Sequence, residues 1–290
     1  PEVRERVEVA QRQKASHQNW VRSASSCVTV LRASNCLAPD RHTAKLLSSI
    51  AKTGFFRSGG VLGGTQAFRH YPAMLGVEAP KLSVSRTGDV DLLADKSVKL
   101  VGDGPGLASM IQGQGVKMDP VFGLDPDAPP KYNVGGVVEL EFLSSVARGG
   151  ASHHFHQGIG EKVQALKFLE FSMKDPVDAV SLYRSGIPVR VPAPERYALH
   201  KMLVAQARTG SFIEKKPKDL QQASWLVEAL MERRSYELWE AWGDLTNRGK
   251  KWRTLFEKSL QELPEVAAHL EELEDTYGPP ASPTMSGYGR

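Results

Sequence analysis

The sequence predicts an α+β fold: a mixed β-sheet lobe with flanking helices, followed by a mostly helical C-terminal lobe. Two observations carry that prediction. Between Phe55 and Ser145, short apolar runs alternate with Gly, Pro and Asp clusters, as strands separated by loops do. After Gly150, apolar residues recur at helical spacing almost to the end of the chain. The length agrees, since 290 residues with 41% hydrophobic content can bury one large core or two of ordinary size.

Element by element, "PEVRERVEVAQRQK" sets Val3, Val7 and Ala10 at helical spacing among charges. "DRHTAKLLSSIAKTG" predicts a second helix, capped by Asp40, stopped by Gly54 and presenting Leu47, Ile50 and Ala51 on one face. Strands are expected in "FFRSGGVL", "LSVSRTGDVDLLA", "SVKLVGD" and "GGVVELEFLSS". Among them, "TQAFRHYPAMLGV" reads as one helix bent at Pro72, with Ala67, Phe68, Tyr71 and Leu75 on a shared face. "GLDPDAPPKYNVGG" reads as an exposed loop. Beyond it, helices are expected in "GEKVQALKFLEFSM", "PERYALHKMLVAQAR", "PKDLQQASWLVEALMERR", "SYELWEAWGDL" and "ELPEVAAHLEELEDTYG", broken by the extended "GIPVRVPAP". The expected domains are an N-terminal helical segment 1–54, a sheet lobe 55–150, a helical lobe 151–278 and a disordered tail 279–290.

Lys and Arg total 37 against 33 Asp and Glu, a net charge of +4, which permits an anionic substrate without the dense basic surface of a dedicated nucleic-acid binder. Cys27 and Cys36 have no His or Cys partners at zinc-ligand spacing, so reduced thiols in a cytoplasmic protein are expected. No segment reaches the ~18 consecutive apolar residues of a membrane span, and no secretory signal is visible, so no membrane partner is expected. The chain begins with Pro1 rather than Met, which leaves residues in front of it open.

"RTGDVDLLA" is the most informative stretch. Alternate residues of a strand share a face, so Asp89 and Asp91 point one way while Val90 and Leu92 point into the core. Adjacent carboxylates repel unless a cation neutralises them. "VVELEFLSS" repeats the pattern with Glu139 and Glu141, and if the two strands are neighbours the acids converge. Hard oxygen donors of this kind suit Mg²⁺, or Mn²⁺ in its place. "GVLGGTQAF" supplies a second component, because Gly63, Gly64 and Thr65 sit where a strand passes into a helix and can receive phosphate oxygens. A Walker loop is excluded because "GGVLGGTQ" lacks its lysine, and "GDGPG" lacks the surroundings of a dinucleotide fingerprint. No Gly-x-Ser-x-Gly elbow supports Ser-His-Asp chemistry.

A Gly-Gly-Thr turn, an Asp-x-Asp strand and a later carboxylate together resemble the nucleotidyltransferase superfamily related to DNA polymerase β. "FRSGGVLGGTQAFRHYPAMLGV", "SRTGDVDLLA", "VPAPERYALHKMLVAQAR" and "KDLQQASWLVEAL" look like an uncharacterised bacterial branch of it, distantly similar to the nucleotidyltransferase toxins of abortive-infection systems. The likeness runs from about Asp40 to about Leu230. It implies an Mg²⁺- or Mn²⁺-dependent enzyme that takes an NTP as substrate, transfers NMP to an acceptor hydroxyl and releases pyrophosphate. By position, it assigns Gly63, Gly64 and Thr65 to phosphate binding, with Arg86 also nucleotide-binding. Asp89, Asp91 and Glu141 become the metal-holding catalytic carboxylates, with Glu139 as fallback. Lys201 and Asp219 match a Lys and an Asp that toxin-like relatives place near the nucleotide. The third carboxylate is Glu where Asp is commoner, and the span from Thr65 to Asp89 exceeds the compact superfamily spacing.

Lys201 and Arg208, seven positions apart, share a helix side and could both reach a triphosphate; for Arg208 and Lys218 a role as plain surface charges stands beside the functional one. "SHHFHQ" is expected to be a solvated loop. Trp225, Trp239, Trp242 and Trp252 among basic residues suit either core packing or single-stranded RNA. The acceptor stays open among RNA or tRNA 3′ ends, a protein hydroxyl and a small molecule, and the oligomeric state is not legible. Two other readings remain: a non-catalytic nucleotide-binding or toxin–antitoxin-type module that keeps the fold, and a helical adaptor over residues 160–275, which would require Asp89 and Asp91 to lie far from Glu141.

Overall fold

The protein is described by a computed structural model over residues 2–85, 87–100, 104–123, 125, 127–146 and 150–280. Helix α1 (Glu2–Ala33) runs well past the expected stretch; most of it is exposed, with Val28 buried near its end. Helix α2 (Arg41–Thr53) begins as its sequence demands. Asp40 accepts hydrogen bonds from the His42 and Thr43 amides at 2.8 and 3.1 Å, and Gly54 closes the helix at φ 90°. Its buried face, Leu46, Leu47 and Ile50, packs into the core.

The expected strand at "FFRSGGVL" shrinks to β1 (Val61–Leu62), and the expected bent helix is two short ones, α3 (Gly64–Phe68) and α4 (Tyr71–Leu75). Pro72 lies in the first turn of α4, where its missing N–H removes no helix bond, so it starts a new helix instead of bending an old one. Ala67, Phe68, Tyr71 and Leu75 are all buried. A single turn, α5 (Leu82–Ser85), precedes strand β2 (Asp89–Leu93). Residues 97–100 form no strand, and 101–103 lie outside the described residues.

Helix α6 (Leu107–Gln112) leads to β3 (Met118–Val121), β4 (Lys131–Val134) and β5 (Val138–Ser145). The supposed loop before β5 therefore contains a strand. Gly135 and Gly136, at φ 62° and 75°, make the tight β4–β5 turn that side chains with a Cβ disfavour. Two expectations just after residue 150 also fail: "SHHFHQ", expected as a solvated loop, forms β6 (His153–His156) with His156 buried, and "GEKVQALKFLEFSM", expected as a helix, forms β7 (Glu161–Leu166) and the short α7 (Leu169–Ser172). Val163 and Ala165 alternate inward while β7 pairs with both β5 and β6, so tertiary pairing overrides the helical propensity of Glu, Lys, Gln, Ala and Leu.

The mixed sheet runs β1-β2-β5-β4-β3, with β7 also on β5 and β6 on β7; β2 and β7 are parallel to β5, and the other pairs are antiparallel. A separate hairpin, β8 (Val177–Ser181) and β9 (Ile187–Val191), precedes the helices. These are α8 (Pro194–Ala207), α9 (Lys216–Arg233) after a 3-10 turn at Gly210–Lys215, α10 (Ser235–Thr246), α11 (Lys250–Glu262) and α12 (Pro264–Tyr277). Helices therefore dominate from Pro194, and α11 is an element the sequence reading did not single out.

One core joins the sheet to the helices. The Phe68 ring lies 6.1 Å from Tyr197 and 5.4 Å from Trp225, and Tyr71 lies 5.1 Å from Tyr197. Trp225, Trp239, Trp242 and Trp252 all pack against this core, which answers the question their spacing raised in favour of packing. The consequence for the site is that α8 and α9 are packed against α3 and α4, next to the turn between β1 and α3.

Candidate active site

The site grows from the sheet register. Strands β2 and β5 pair in parallel with Asp89 opposite Glu139 and Asp91 opposite Glu141, so all four acids share one face while Val90, Leu92, Leu140 and Phe142 fill the other. This adjacency removes the helical-adaptor reading, which needed the acids apart. Asp91 is the most perturbed: burial, then the charges of Glu141 and Asp89, push its carboxyl up to about 6.

The glycine turn is built around that carboxylate. Gly63 donates its N–H to the Asp91 carbonyl at 2.8 Å, and a Cβ on Gly63 would lie 2.8 Å from Leu93. Gly64 has φ 54°, and a Cβ there would fall 1.9 Å from Asp91 Oδ2. Both the backbone conformation and the close approach therefore demand glycine at 64. Gly64→Ala is expected to cost about 2 kcal/mol or more in stability and to displace the Asp91 carboxylate. A urea midpoint within error of wild type would refute this.

The turn is braced from the helical lobe by two residues the sequence reading missed. The Tyr197 hydroxyl lies 3.0 Å from both the Gly64 carbonyl and Gln222 Oε1. Fully buried Gln222 donates to the Val84 carbonyl at 2.8 Å and to Thr65 Oγ1 at 3.3 Å. With its oxygen held from behind, the Thr65 hydroxyl keeps its own proton to donate.

A cleft of about 600 Å³ opens between sheet and helices. Gly63, Gly64, Asp89, Asp91, Glu141 and Lys131 line its sheet side; Tyr197, His200, Lys201, Arg208, Phe212 and Lys215 line the other. Thr65, Glu139 and Asp219 lie outside this lining, and Arg86 lies outside the described residues.

Lys201 and Arg208 both turn to Asp219, which is buried behind them: Lys201 Nζ donates to Asp219 Oδ1 at 2.7 Å and Arg208 Nε to Oδ2. Burial opposes the Asp219 charge, but the two cations hold its carboxyl below the usual range. Neither cation is a plain surface charge. His200 is pulled down to about 4, by burial first and then by Lys201, so it is neutral at physiological pH; its Nδ1 lies 3.2 Å from the Phe168 carbonyl.

Two further lysines reach the acids. Lys215 Nζ lies 3.4 Å from Asp89 Oδ2, and Lys131 Nζ lies 2.7 Å from Glu141 Oε1 and 3.3 Å from Glu139 Oε2. Burial works against the Lys131 charge, but hydrogen bonds and attraction from Glu141 and Glu139 raise its pKa. The carboxylates offer the hard oxygens a divalent cation takes, and Asp91 is short of neutralising charge. With lysines on Asp89 and Glu141, however, no three His, Cys, Asp or Glu side chains are drawn to ligating spacing among the described residues.

Residues 41–247, well over half of the chain, match a family model described as nucleotidyltransferase. The chain belongs to the nucleotidyltransferase family. Nucleotidyl transfer is the activity its family carries, with an NTP as the natural substrate class. Its fold is also similar to a crystal structure of an antigenic nucleotidyltransferase-like protein from Paracoccidioides brasiliensis, at 14% identity and a TM-score of 0.41, over 81% of this chain and 94% of that one. No curated protein matches the chain. Among the described residues of this nucleotidyltransferase, no helix is long and apolar enough to cross a membrane.

Proposed function

We propose that the protein transfers NMP from an NTP to an acceptor hydroxyl with the help of Mg²⁺ or Mn²⁺. The observation that carries this reading is the pairing of Asp91 with Glu141 directly beneath the Gly63–Thr65 turn, in a cleft whose other wall is cationic. The acceptor oxygen forms a bond to the α-phosphorus, the bond from that phosphorus to the bridging oxygen breaks, and pyrophosphate leaves. Glu141 takes up the hydroxyl proton. A divalent cation held by Asp89, Asp91 and Glu141 would supply charge to the acids and to the phosphates.

Gly63 spends its N–H on Asp91, so phosphate contact falls to Gly64 and the Thr65 hydroxyl. Lys201, Arg208 and Lys215 meet the triphosphate from the helical side, Asp219 orients the first two, and Arg86 belongs with this group by resemblance. In outline, the sheet lobe (55–150, extended by β6 and β7) carries the chemistry and the helical lobe (to residue 278) carries the phosphate-binding charge. A cytoplasmic setting accords with the free thiols of Cys27 and Cys36. The acceptor we favour is RNA, a tRNA 3′ end or a protein hydroxyl, on the basic balance and the distant likeness to toxin nucleotidyltransferases of a bacterial branch.

One observation favours a second reading. Lysines rest on Glu141 and Asp89, as they would in a nucleotide-binding module that has given up metal and catalysis. The two separate on one experiment: incubation with each α-labelled NTP, Mg²⁺ or Mn²⁺, and RNA or protein acceptors. The enzyme reading expects labelled acceptor, reduced at least a thousandfold in Asp89→Ala. NTP binding with no turnover under either metal would favour the module.

A further inference from the structure

Sheet register puts Lys131 beside the acids. The β4–β5 hairpin pairs Val134 with Val138, Asn133 with Glu139 and Tyr132 with Leu140; one step further along the same register, Lys131 faces Glu141. On the other side of β5, β2 pairs Asp91 with Glu141 and Asp89 with Glu139. Residues opposite one another in a sheet share a face, so one row reads Asp91, Glu141, Lys131 and the next reads Asp89, Glu139, Asn133. The lysine is therefore fixed as the lateral neighbour of the third carboxylate, and its ammonium already spans both glutamates.

We propose that Lys131 is a resident cation that competes with the divalent metal for Glu141, and that Glu139 is the alternative partner that holds the ammonium once Glu141 is released. This rests on the metal-supported reading of the site and divides the labour between two glutamates that the sequence alone could not tell apart. Three features favour it. The 2.7 Å contact is to Glu141, which lines the cleft, and the 3.3 Å contact is to Glu139, which is exposed and does not line it. The half-exposed Lys131 ammonium already touches both carboxylates, so changing partner takes only a small shift of its end. Like charges a few ångströms apart near a protein surface repel strongly enough to change an ion's affinity by about tenfold or more.

The device has a functional consequence. A lysine on Glu141 keeps the acids partly neutralised without metal and makes metal binding weak until something draws the lysine away. An incoming triphosphate brings negative charge to the same cleft and favours exchange, which couples metal loading to nucleotide loading.

The test is Mn²⁺ binding to the full chain without nucleotide, measured from the paramagnetic signal of free Mn²⁺, with circular dichroism of each variant as a check on folding. Lys131→Met is expected to tighten Mn²⁺ about tenfold, and Lys131→Gln to act alike. Glu139→Gln is expected to weaken Mn²⁺ several-fold, because the lysine then has Glu141 alone, and to have no effect in the Lys131→Met background. Unchanged or weaker Mn²⁺ affinity in both lysine variants would overturn the proposal, as would a Glu139→Gln loss that persists without the lysine. If Asp91→Asn or Glu141→Gln abolishes Mn²⁺ binding while the lysine variants bind like wild type, the metal site stands and this inference alone fails. If no variant shows Mn²⁺ binding that depends on Asp91 or Glu141, both fail.

Discussion

Replacing Asp91 by Asn is expected to abolish NMP transfer and, in the metal-free protein at neutral pH, to raise the melting temperature. Both effects come from one cause. Asp91 sits among Glu141, Asp89 and the backbone of Gly64, and burial with those two charges raises its pKa from 3.8 to about 6. An acid whose pKa is raised by folding binds its proton more tightly in the folded than in the unfolded chain. The native state therefore loses stability as pH rises from about 4 to about 6, and above that the full cost is present. Two pKa units correspond to roughly 3 kcal/mol, several degrees of melting temperature in a chain of this size. Asparagine carries no charge and escapes the cost, but it cannot serve as an anionic ligand. The stability gain should be present at pH 7.5 and vanish near pH 4, and added Mn²⁺ should stabilise wild type but not the variant. Asp91→Asn that is less stable than metal-free wild type at pH 7.5 would sink this account of the site's electrostatics.

Asp91 also shows how far the sequence could be read. The period-two alternation in "DVDLL" and "VELEF" is a local signal, and it placed the acids on one face of each strand. The parallel pairing that makes the strands neighbours is non-local, and it could only be stated as a condition. Likewise the ends of α2 were legible because Asp40 and Gly54 act within a turn of their own chain, as were the bodies of α8 and α9 through their apolar spacing. Strand β7 was not, because its residues individually favour helix and only β5 and β6 decide otherwise. Lys131 is the instructive miss. "KYNVGGVVELEF" contains a hairpin signal, two glycines between strand-forming runs, and reading it would have put Lys131 across from Glu141. The preceding prolines and aspartates disguised β4 as loop. Tyr197 and Gln222 left no such trace, since nothing local to α8 or α9 marks a residue that braces a turn more than a hundred positions away.

Asp219→Ala is expected to lower stability by about 3 kcal/mol or more, and pyrophosphate is expected to recover part of that loss. Asp219 is 2% exposed and is the shared anion of Lys201 and Arg208, whose side chains are 10% and 17% exposed. Removing it leaves two enclosed cations without their hydrogen-bonded carboxylate, and breaking a buried pair in this way costs about 3–5 kcal/mol. If Lys201 and Arg208 are held there to meet phosphates, a polyphosphate anion entering the cleft takes over the role of the missing carboxylate. Stabilisation by pyrophosphate should then be larger in Asp219→Ala than in wild type, while Asp219→Asn, which keeps the volume and loses the charge, should behave like the alanine variant. If the triad is structural only, pyrophosphate will shift all three melting temperatures equally. That outcome would leave Lys215 and the glycine turn as the phosphate-binding elements and remove Lys201 and Arg208 from the site.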